Sequence, residues 1–467
     1  MPKLKLTETV LRDGQQSLAG ARMTTEEMLP ILPTLDRVGY HSAEVFGGAT
    51  FDTCIRHLNE DPWHRLRSIR SNMPHTKLQM VMRGQSLVGY RNYPDDIVQY
   101  FVQKAVSGGI DILRIYDPMN DARNTEVAIA AAKREGAQVQ GALCYTTSPV
   151  HTMEHYLKYT DELLSLGADS ICIKDMSGLL RPYEAYQLVK ALHASHPSLP
   201  IQLHTHDTTG MAAMTVLKAV EGGVDVVDTS LSPFALGASL SSTESVASAF
   251  TNTPYVPEVD MHALSQATEY FSSLRERYIK DGRLPRTLLK VDTAVLRHQV
   301  PGGMYSHMLS QMCDFYGEDV LPRVLEEIIA VREDAGYVPL VTPLVQIIGT
   351  QALHNVLEGE RYKTVTDEFK LLLAGGHGRT PAPVSKEFLS KILGTDRELT
   401  VGRPAESLRP EVEYFRSAVA PYAEQEEDLL TMALFDKVAV KFFEWRKNQR
   451  YKLDRRSAKR TATHPVG

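Results

Sequence analysis

Along the first half of the chain, apolar and β-branched residues gather in short runs at near-constant spacing. They are KLKLTETVL (3–11), AEVF (43–46), LQMVM (78–82), ILRIY (112–116), VQGALCY (139–145), SICIK (170–174), IQLHT (201–205) and DVVDTS (225–230). Between these runs the apolar period lengthens to that of an amphipathic helix, as in TTEEMLPILPTLDRVG, PDDIVQYFVQKAVSGG, MEHYLKYTDELLSLG and TGMAAMTVLKAVEGG. Most of these stretches end in glycine, the residue helix C-termini favour. The unit recurs about every 31 residues, the size of one strand plus one helix, and eight such units close a parallel barrel. The pattern predicts an α/β fold: a (β/α)8 TIM barrel over residues 1–290.

Beyond residue 300 the pattern changes. Long helical stretches, DVLPRVLEEIIAVREDAG, TPLVQIIGTQALHNVLEG and EEDLLTMALFDKVAVKFFEWRKN, are separated by Pro/Gly breaks at VPGG, GGHGRTPAP and VGRPAESLRP. This predicts a mostly helical C-terminal domain over 291–445, joined to the barrel at 291–300, and a basic tail over 446–467. From Arg446 to Arg460 the tail holds eight basic residues and one acidic, a composition expected of a solvated, partly disordered segment.

The 467 residues carry 57 acidic and 51 basic side chains, a net charge of −6, which removes the electrostatic case for nucleic acid. No run approaches the roughly 20 apolar residues of a membrane span, and MPKLKLTETV lacks the apolar core of a signal peptide, so a cytoplasmic protein is expected. Cys54, Cys144, Cys172 and Cys313 are far apart with no C-x-x-C pair, which argues against a disulfide framework or a thiolate zinc site; Cys144 and Cys172 read as buried core thiols.

In such a barrel the active site lies at the C-terminal ends of the strands. Strand 1 runs into LRDGQQS, strand 6 ends in IKDMSG and strand 7 carries HTHDTTG. His204 and His206 are two apart on a strand, so both project to one face, as two ligands of one ion must. Neutral imidazoles suit zinc, manganese or cobalt, and Asp13 supplies a carboxylate oxygen from a neighbouring arc of the mouth. An H-x-H pair alone is weak; with Asp13 the metal reading gains. Lys174 ends strand 6 on the face of Cys172. It is either a strand-end lysine paired with Asp175 or a group aimed at the metal, and its ammonium could ligate only after chemical conversion. Arg83 points toward the same mouth and is suited to bidentate capture of a carboxylate, while Arg12 and Gln16 flank Asp13. Either arginine could instead be a structural ion-pair partner. The pattern alone yields a metal-dependent enzyme acting on a small anionic substrate, and no reaction.

TETVLRDGQQSL, FGGATFDTCIRHLNEDPWHRLR, MRGQSLVGYRNYPDD, IKDMSGLLRP, HTHDTTG and DVVDTSLSP resemble the carboxyltransferase component of biotin-dependent enzymes. That family includes the oxaloacetate decarboxylase α subunit, the carboxyltransferase part of pyruvate carboxylase and the pyruvate-acting subunit of transcarboxylase. HQVPGGMYS, GYVPLVTPLVQIIGTQA, GRTPAPV, GRPAESLRPE and EEDLLTMALF look like its C-terminal helical domain, so the resemblance runs from about residue 4 to 445. It implies a divalent ion held by Asp13, His204, His206 and Lys174, the lysine carbamylated and thereby turned into an anion able to ligate. It implies that Arg12, Gln16 and Arg83 hold the carboxylate and keto oxygen of pyruvate or oxaloacetate. It further implies that Thr342 of VTPLVQ, otherwise readable as a helix N-cap, passes a proton between biotin and substrate.

Two departures stand out. After strand 8 the family reads G-T-S-Q-P-x-x-E or a related glycine-rich form, where this chain has GASLSSTE (237–244), and Phe46 replaces a tryptophan in what reads as a packing position. No biotinyl-lysine motif is present, so biotin is expected on a separate carrier protein, with biotin carboxylase or membrane decarboxylase subunits as further partners and a homodimer as the family's assembly. Two other readings compete: an aldol or Claisen enzyme of the same superfamily, which lacks the metal-facing lysine, and a non-catalytic scaffold subunit, motivated by the GASLSSTE loop.

Overall fold

The structure, a computed structural model, describes residues 3–302, 320–395 and 399–450. Cys313, the end of HQVPGGMYS and the tail beyond Arg450 lie outside the described residues. Eight parallel strands close a barrel in chain order: β1 (Lys5–Glu8), β2 (Ser42–Phe46), β3 (Leu78–Arg83), β4 (Ile112–Tyr116), β5 (Gln138–Cys144), β6 (Ser170–Asp175), β7 (Ile201–Thr205) and β8 (Val226–Thr229).

One boundary differs in a way that matters for the site. The run expected as a strand over 3–11 leaves the sheet at Glu8, because the buried Glu8 carboxylate accepts the backbone N–H groups of Thr9, Val10 and Leu231. Thr9 N–H makes a last bond to Thr229 O, and the chain then turns into a wide helical turn, Val10–Gly14, followed by the helix Gln15–Ala19. Arg12 and Asp13 therefore ride on a helical turn above the barrel, not on a strand. Similarly, Pro30 and Pro33 divide the helix expected over TTEEMLPILPTLDRVG into Thr25–Met28 and Leu32–Arg37 with a tighter turn between them.

The inward side chains at mid-barrel are polar where branched aliphatics are usual. Thr7, Glu44, Gln79, Arg114, Gln140, Gln202 and Asp228 are all buried, and hydrogen bonds run through them from strand to strand. Above this layer sits a small apolar cluster of Val81, Tyr116, Ala142, Cys144 and Cys172, closed by Val341 from the C-terminal half. Both cysteines are buried thiols in that cluster.

The C-terminal helices divide between two cores. Helices Val320–Asp334, Leu344–Glu358, Asp367–Leu373 and Lys386–Leu393 surround their own apolar cluster, which includes Val324, Ile328, Leu344 and Phe369. Residues from Val419 to Phe443 instead join the barrel's core. There Phe435 stacks on Phe51 at 5.3 Å and Trp63 Nε1 donates to Thr431 Oγ1 at 3.1 Å. Phe46 packs against Phe51 and Trp63 in the same aromatic group, as a packing position should. Arg446, expected to begin a solvated tail, lies within the helix Asp428–Arg450, its guanidinium on both oxygens of buried Asp428 at 2.9 and 2.6 Å.

Candidate active site

At the C-terminal mouth of the barrel, Asp13, His204 and His206 place one ligand-type atom each within 4.8 Å of one another. His204 Nε2 stands 3.1 Å from His206 Nε2, and Asp13 Oδ2 lies 3.3 Å and 3.7 Å from those nitrogens. The far side of each ring fixes its tautomer. His204 Nδ1 meets Asp228 Oδ2 at 2.7 Å, and His206 Nδ1 meets the Ala238 carbonyl at 2.7 Å. Both partners only accept, so each Nδ1 carries a proton and each Nε2 is the ring nitrogen turned toward Asp13. Burial pushes His204 down to about 3, with Lys174 acting the same way, so the ring is neutral. Burial works to raise the Asp13 carboxyl, but Arg12 and the two histidines outweigh it and hold it well below the usual range. Two imidazole nitrogens and a carboxylate oxygen thus converge within 4.8 Å of one another. That donor set fits a divalent cation taking nitrogen and oxygen ligands, and the Asp228 and Ala238 contacts are the supports such ligands require.

The sheet register sets Lys174 on β6 directly beside His204 on β7. Lys174 is 3% exposed, and Asp175 is committed elsewhere, to the N–H groups of Leu179 and Leu180 and the Thr205 hydroxyl. The strand-end pair with Asp175 therefore does not form. Burial lowers the Lys174 ammonium pKa, with Asp13 opposing. Lys174 borders two adjoining cavities of about 270 and 250 Å3, which also share Arg12, Gln16, Met176 and Thr342. Asp13 and His206 border the first and Arg83 the second, while His204 is fully buried beneath them.

The two arginines differ. Arg12 is held by Glu44 through Nε at 2.6 Å and by Asp13 through Nη2 at 2.9 Å, leaving Nη1 3.4 Å from Gln16 Oε1. Arg12 thus pairs with two carboxylates while still bordering both cavities. Arg83 donates to the Gly89 carbonyl at 2.6 Å and lies against the Tyr90 ring, and its buried Nε has no partner. Gly48 makes room for it, since a Cβ there would stand 3.0 Å from Arg83 Nη2.

Thr342 reaches the site because its neighbour Val341 inserts into the apolar cluster at the barrel mouth. Upstream, buried Arg332 fastens this segment by donating to Val338 O, Thr146 Oγ1 and Thr147 O. Thr342 does not cap the following helix: the cap position is Pro343 and no side chain bonds there. The GASLSSTE loop supplies the Ala238 carbonyl to His206, while its Ser239 and Thr243 hydroxyls bond Phe234 O and Glu8 Oε2.

Pattern reading missed the support beneath the ligand cluster. Arg114 donates to both oxygens of Asp228, at 2.5 and 3.1 Å, and to Glu44 at 3.3 Å. Alternation within SAEVF, ILRIY and DVVDTS could have placed Glu44, Arg114 and Asp228 inward, had charged residues been allowed in a barrel interior. Asp228→Asn is expected to weaken divalent-metal affinity about 10–100-fold, read by titration of metal-free protein; an unchanged affinity would show that Asp228 does not orient His204.

Residues 3–270 match the HMGL-like family model and residues 295–465 match the model described as the conserved carboxylase domain. The chain is 50% identical over 441 residues to a pyruvate carboxylase subunit of Methanocaldococcus jannaschii, covering 94% of this chain and 77% of that one. It is 45% identical over 447 residues to the methylmalonyl-CoA carboxyltransferase 5S subunit of Propionibacterium freudenreichii, covering 94% and 87%. The carboxyl transferase domain of Rhizobium etli pyruvate carboxylase, solved with pyruvate and biocytin, superposes with a TM-score of 0.89 at 32% identity, over 95% of this chain and 77% of that one. These relatives decide against both the aldol or Claisen reading and the scaffold reading: the chain belongs to the carboxyltransferase family of biotin-dependent enzymes and is a biotin-dependent carboxyltransferase.

Proposed function

We propose that this chain moves a carboxyl group between oxaloacetate or pyruvate and biotin presented on a separate carrier protein, in the cleft where Lys174, Arg83 and Thr342 meet. The observation that carries this reading is that convergence: a guanidinium with no carboxylate partner, a buried lysine beside a cation-type donor set, and a threonine from the other half of the chain border adjoining cavities. A divalent ion, zinc, manganese or cobalt, would be held by Asp13, His204, His206 and carbamylated Lys174. Bound there, it would supply Lewis-acid stabilisation of negative charge on the keto oxygen.

The protein groups do the rest. Arg83 pairs with the carboxylate that stays on the substrate, and Gln16 lies within reach of the same cavity. When the bond between C3 and C4 of oxaloacetate breaks, its electron pair stays on C3 as the enolate of pyruvate, and the released carboxyl group bonds to the ureido nitrogen of biotin. That nitrogen gives its proton to Thr342 Oγ1, which passes its own proton to C3. Reversal carboxylates pyruvate.

Charge balance supports carbamylation. The charges around the ligand cluster, Asp13, Glu44 and Asp228 against Arg12, Arg114 and an ammonium at Lys174, already cancel, with buried Arg83 left over to face the substrate carboxylate. A dication added to that set leaves two positive charges buried without partners, which is strongly unfavourable. Converting the ammonium to a carbamate removes the same amount, so metal and carbamate should arrive together. Native mass spectrometry is expected to show one added carbon dioxide at Lys174 in metal-loaded protein; an unmodified lysine in loaded, active protein would contradict the four-ligand reading.

The choice of keto acid follows from the same cavity. Arg83 is the guanidinium there without a carboxylate partner, and Arg12 is already committed. A 2-oxo acid with a further, non-reacting carboxylate would bury that charge unpaired. The specificity constant for pyruvate is expected to exceed that for 2-oxoglutarate by more than about tenfold, and equal values would refute this account of substrate choice.

No helix among the described residues is long and apolar enough to cross a membrane, in keeping with a cytoplasmic enzyme that serves a biotin carrier with biotin carboxylase or membrane decarboxylase subunits. Tyr183, Met214 and Leu217, 70%, 53% and 43% exposed on the adjoining helices Pro182–Ser195 and Ala212–Gly222, support a homodimer through that face.

A further inference from the structure

Away from the Asp13, His204 and His206 cluster, a cavity of about 380 Å3 opens between the barrel helix Met153–Ser165 and the segment Arg379–Pro383 of the C-terminal half. Tyr159 lines it at 2% exposure, and its hydroxyl has no hydrogen-bond partner. The buried Nε2 of His155, one helical turn earlier, has none either. Buried polar groups are almost always paired, so two orphans on residues that line one cavity point to a missing partner.

Two cations complete the wall. Both are exposed, and among the described residues neither the Lys158 ammonium nor the Arg379 guanidinium makes a side-chain hydrogen bond or an ion pair; Lys158 does not pair even with Glu162 one turn along its own helix. Glu162 is the carboxylate that faces the cavity. Asp121, nearby, is already engaged by the Arg123 side chain and by the Arg379 backbone N–H. The Arg379 segment is held in place before any ligand arrives. Asn124 Nδ2 donates to His377 O, and Gly378, at φ +111°, approaches so closely that a Cβ would stand 2.6 Å from that amide nitrogen.

We propose that this cavity is a binding site for an oxyanion, the carboxylate or phosphate group of a small metabolite, gripped by Lys158 and Arg379 with Tyr159 and His155 donating from below. The two cations disfavour a metal ion, and hydrogen-bond donors outnumber acceptors on the walls. Because Lys158 belongs to the barrel and Arg379 to the C-terminal half, the bound anion bridges the two parts, and a ligand that binds only the docked arrangement stabilises it.

Isothermal titration of the full chain with inorganic phosphate, and separately with malonate, at constant ionic strength tests this. At least one is expected to bind saturably, one ligand per chain. Arg379→Gln and Lys158→Gln should each weaken binding by more than about tenfold, and Tyr159→Phe should weaken it less. Arg83→Gln should leave it unchanged, which separates this site from the active-site cleft. Phosphate alone binding identifies a phosphate-bearing ligand, and malonate alone a carboxylate. Absence of saturable binding with both, binding that survives the Arg379 and Lys158 substitutions, or binding lost in Arg83→Gln would each overturn the proposal.

Discussion

Thr342→Ala is expected to slow carboxyl transfer between oxaloacetate and biotin by about 10²–10⁴-fold, the usual worth of a positioned proton donor, with metal content and thermal stability unchanged. The hydroxyl borders both cavities together with Lys174 and Gln16, whereas no cap bond at the following helix depends on it. Its neighbour Val341, not Thr342, anchors the segment in the apolar cluster at the barrel mouth. Thr342→Ser keeps an O–H at the same place and should restore most of the rate. Wild-type turnover in the alanine variant, or a serine variant no better than alanine, would remove Thr342 from the proton path.

The second large effect is expected at Lys174. Lys174→Ala should lower both metal affinity and turnover, turnover by about 10²–10³-fold, comparable to loss of one group that stabilises developing negative charge. The reason lies in the register that sets Lys174 beside His204 and in the burial that disfavours its ammonium form. Lys174→Glu restores a negative charge on a shorter stem, so it should retain more metal than Lys174→Ala. Full metal occupancy and full turnover in Lys174→Ala would show that the lysine is a bystander.

Much of this could be read in the chain because parallel strands buried on both faces announce themselves as apolar runs, and glycine marks the ends of the helices between them. The H-x-H at the end of β7 was legible for the same reason: period-two alternation carries on through His206, one residue beyond the strand, where it bridges Leu240. What pattern could not supply was the polar interior. Glu44, Arg114 and Asp228 look misplaced in a barrel until their mutual bonds are seen, and those bonds join strands far apart in sequence. Glu8 shows the same limit on a smaller scale, where a carboxylate bonded to Thr9, Val10 and Leu231 ends a strand that propensity would continue to residue 11. The place of Thr342 depended on resemblance alone, since nothing local to VTPLVQ says that Val341 plugs a barrel more than a hundred residues upstream. The division of the C-terminal helices between two cores is likewise a long-range packing result, carried by contacts such as Phe435 on Phe51.

The central claim, that this cleft passes a carboxyl group to biotin, is tested most directly with oxaloacetate labelled at the C4 carboxyl and the metal-loaded protein, with and without a biotinylated carrier. The expected result is pyruvate formation that depends on biotin, with the label appearing on the carrier in equal amount. Decarboxylation at the same rate without biotin, or pyruvate formed while the carrier stays unlabelled, would contradict it.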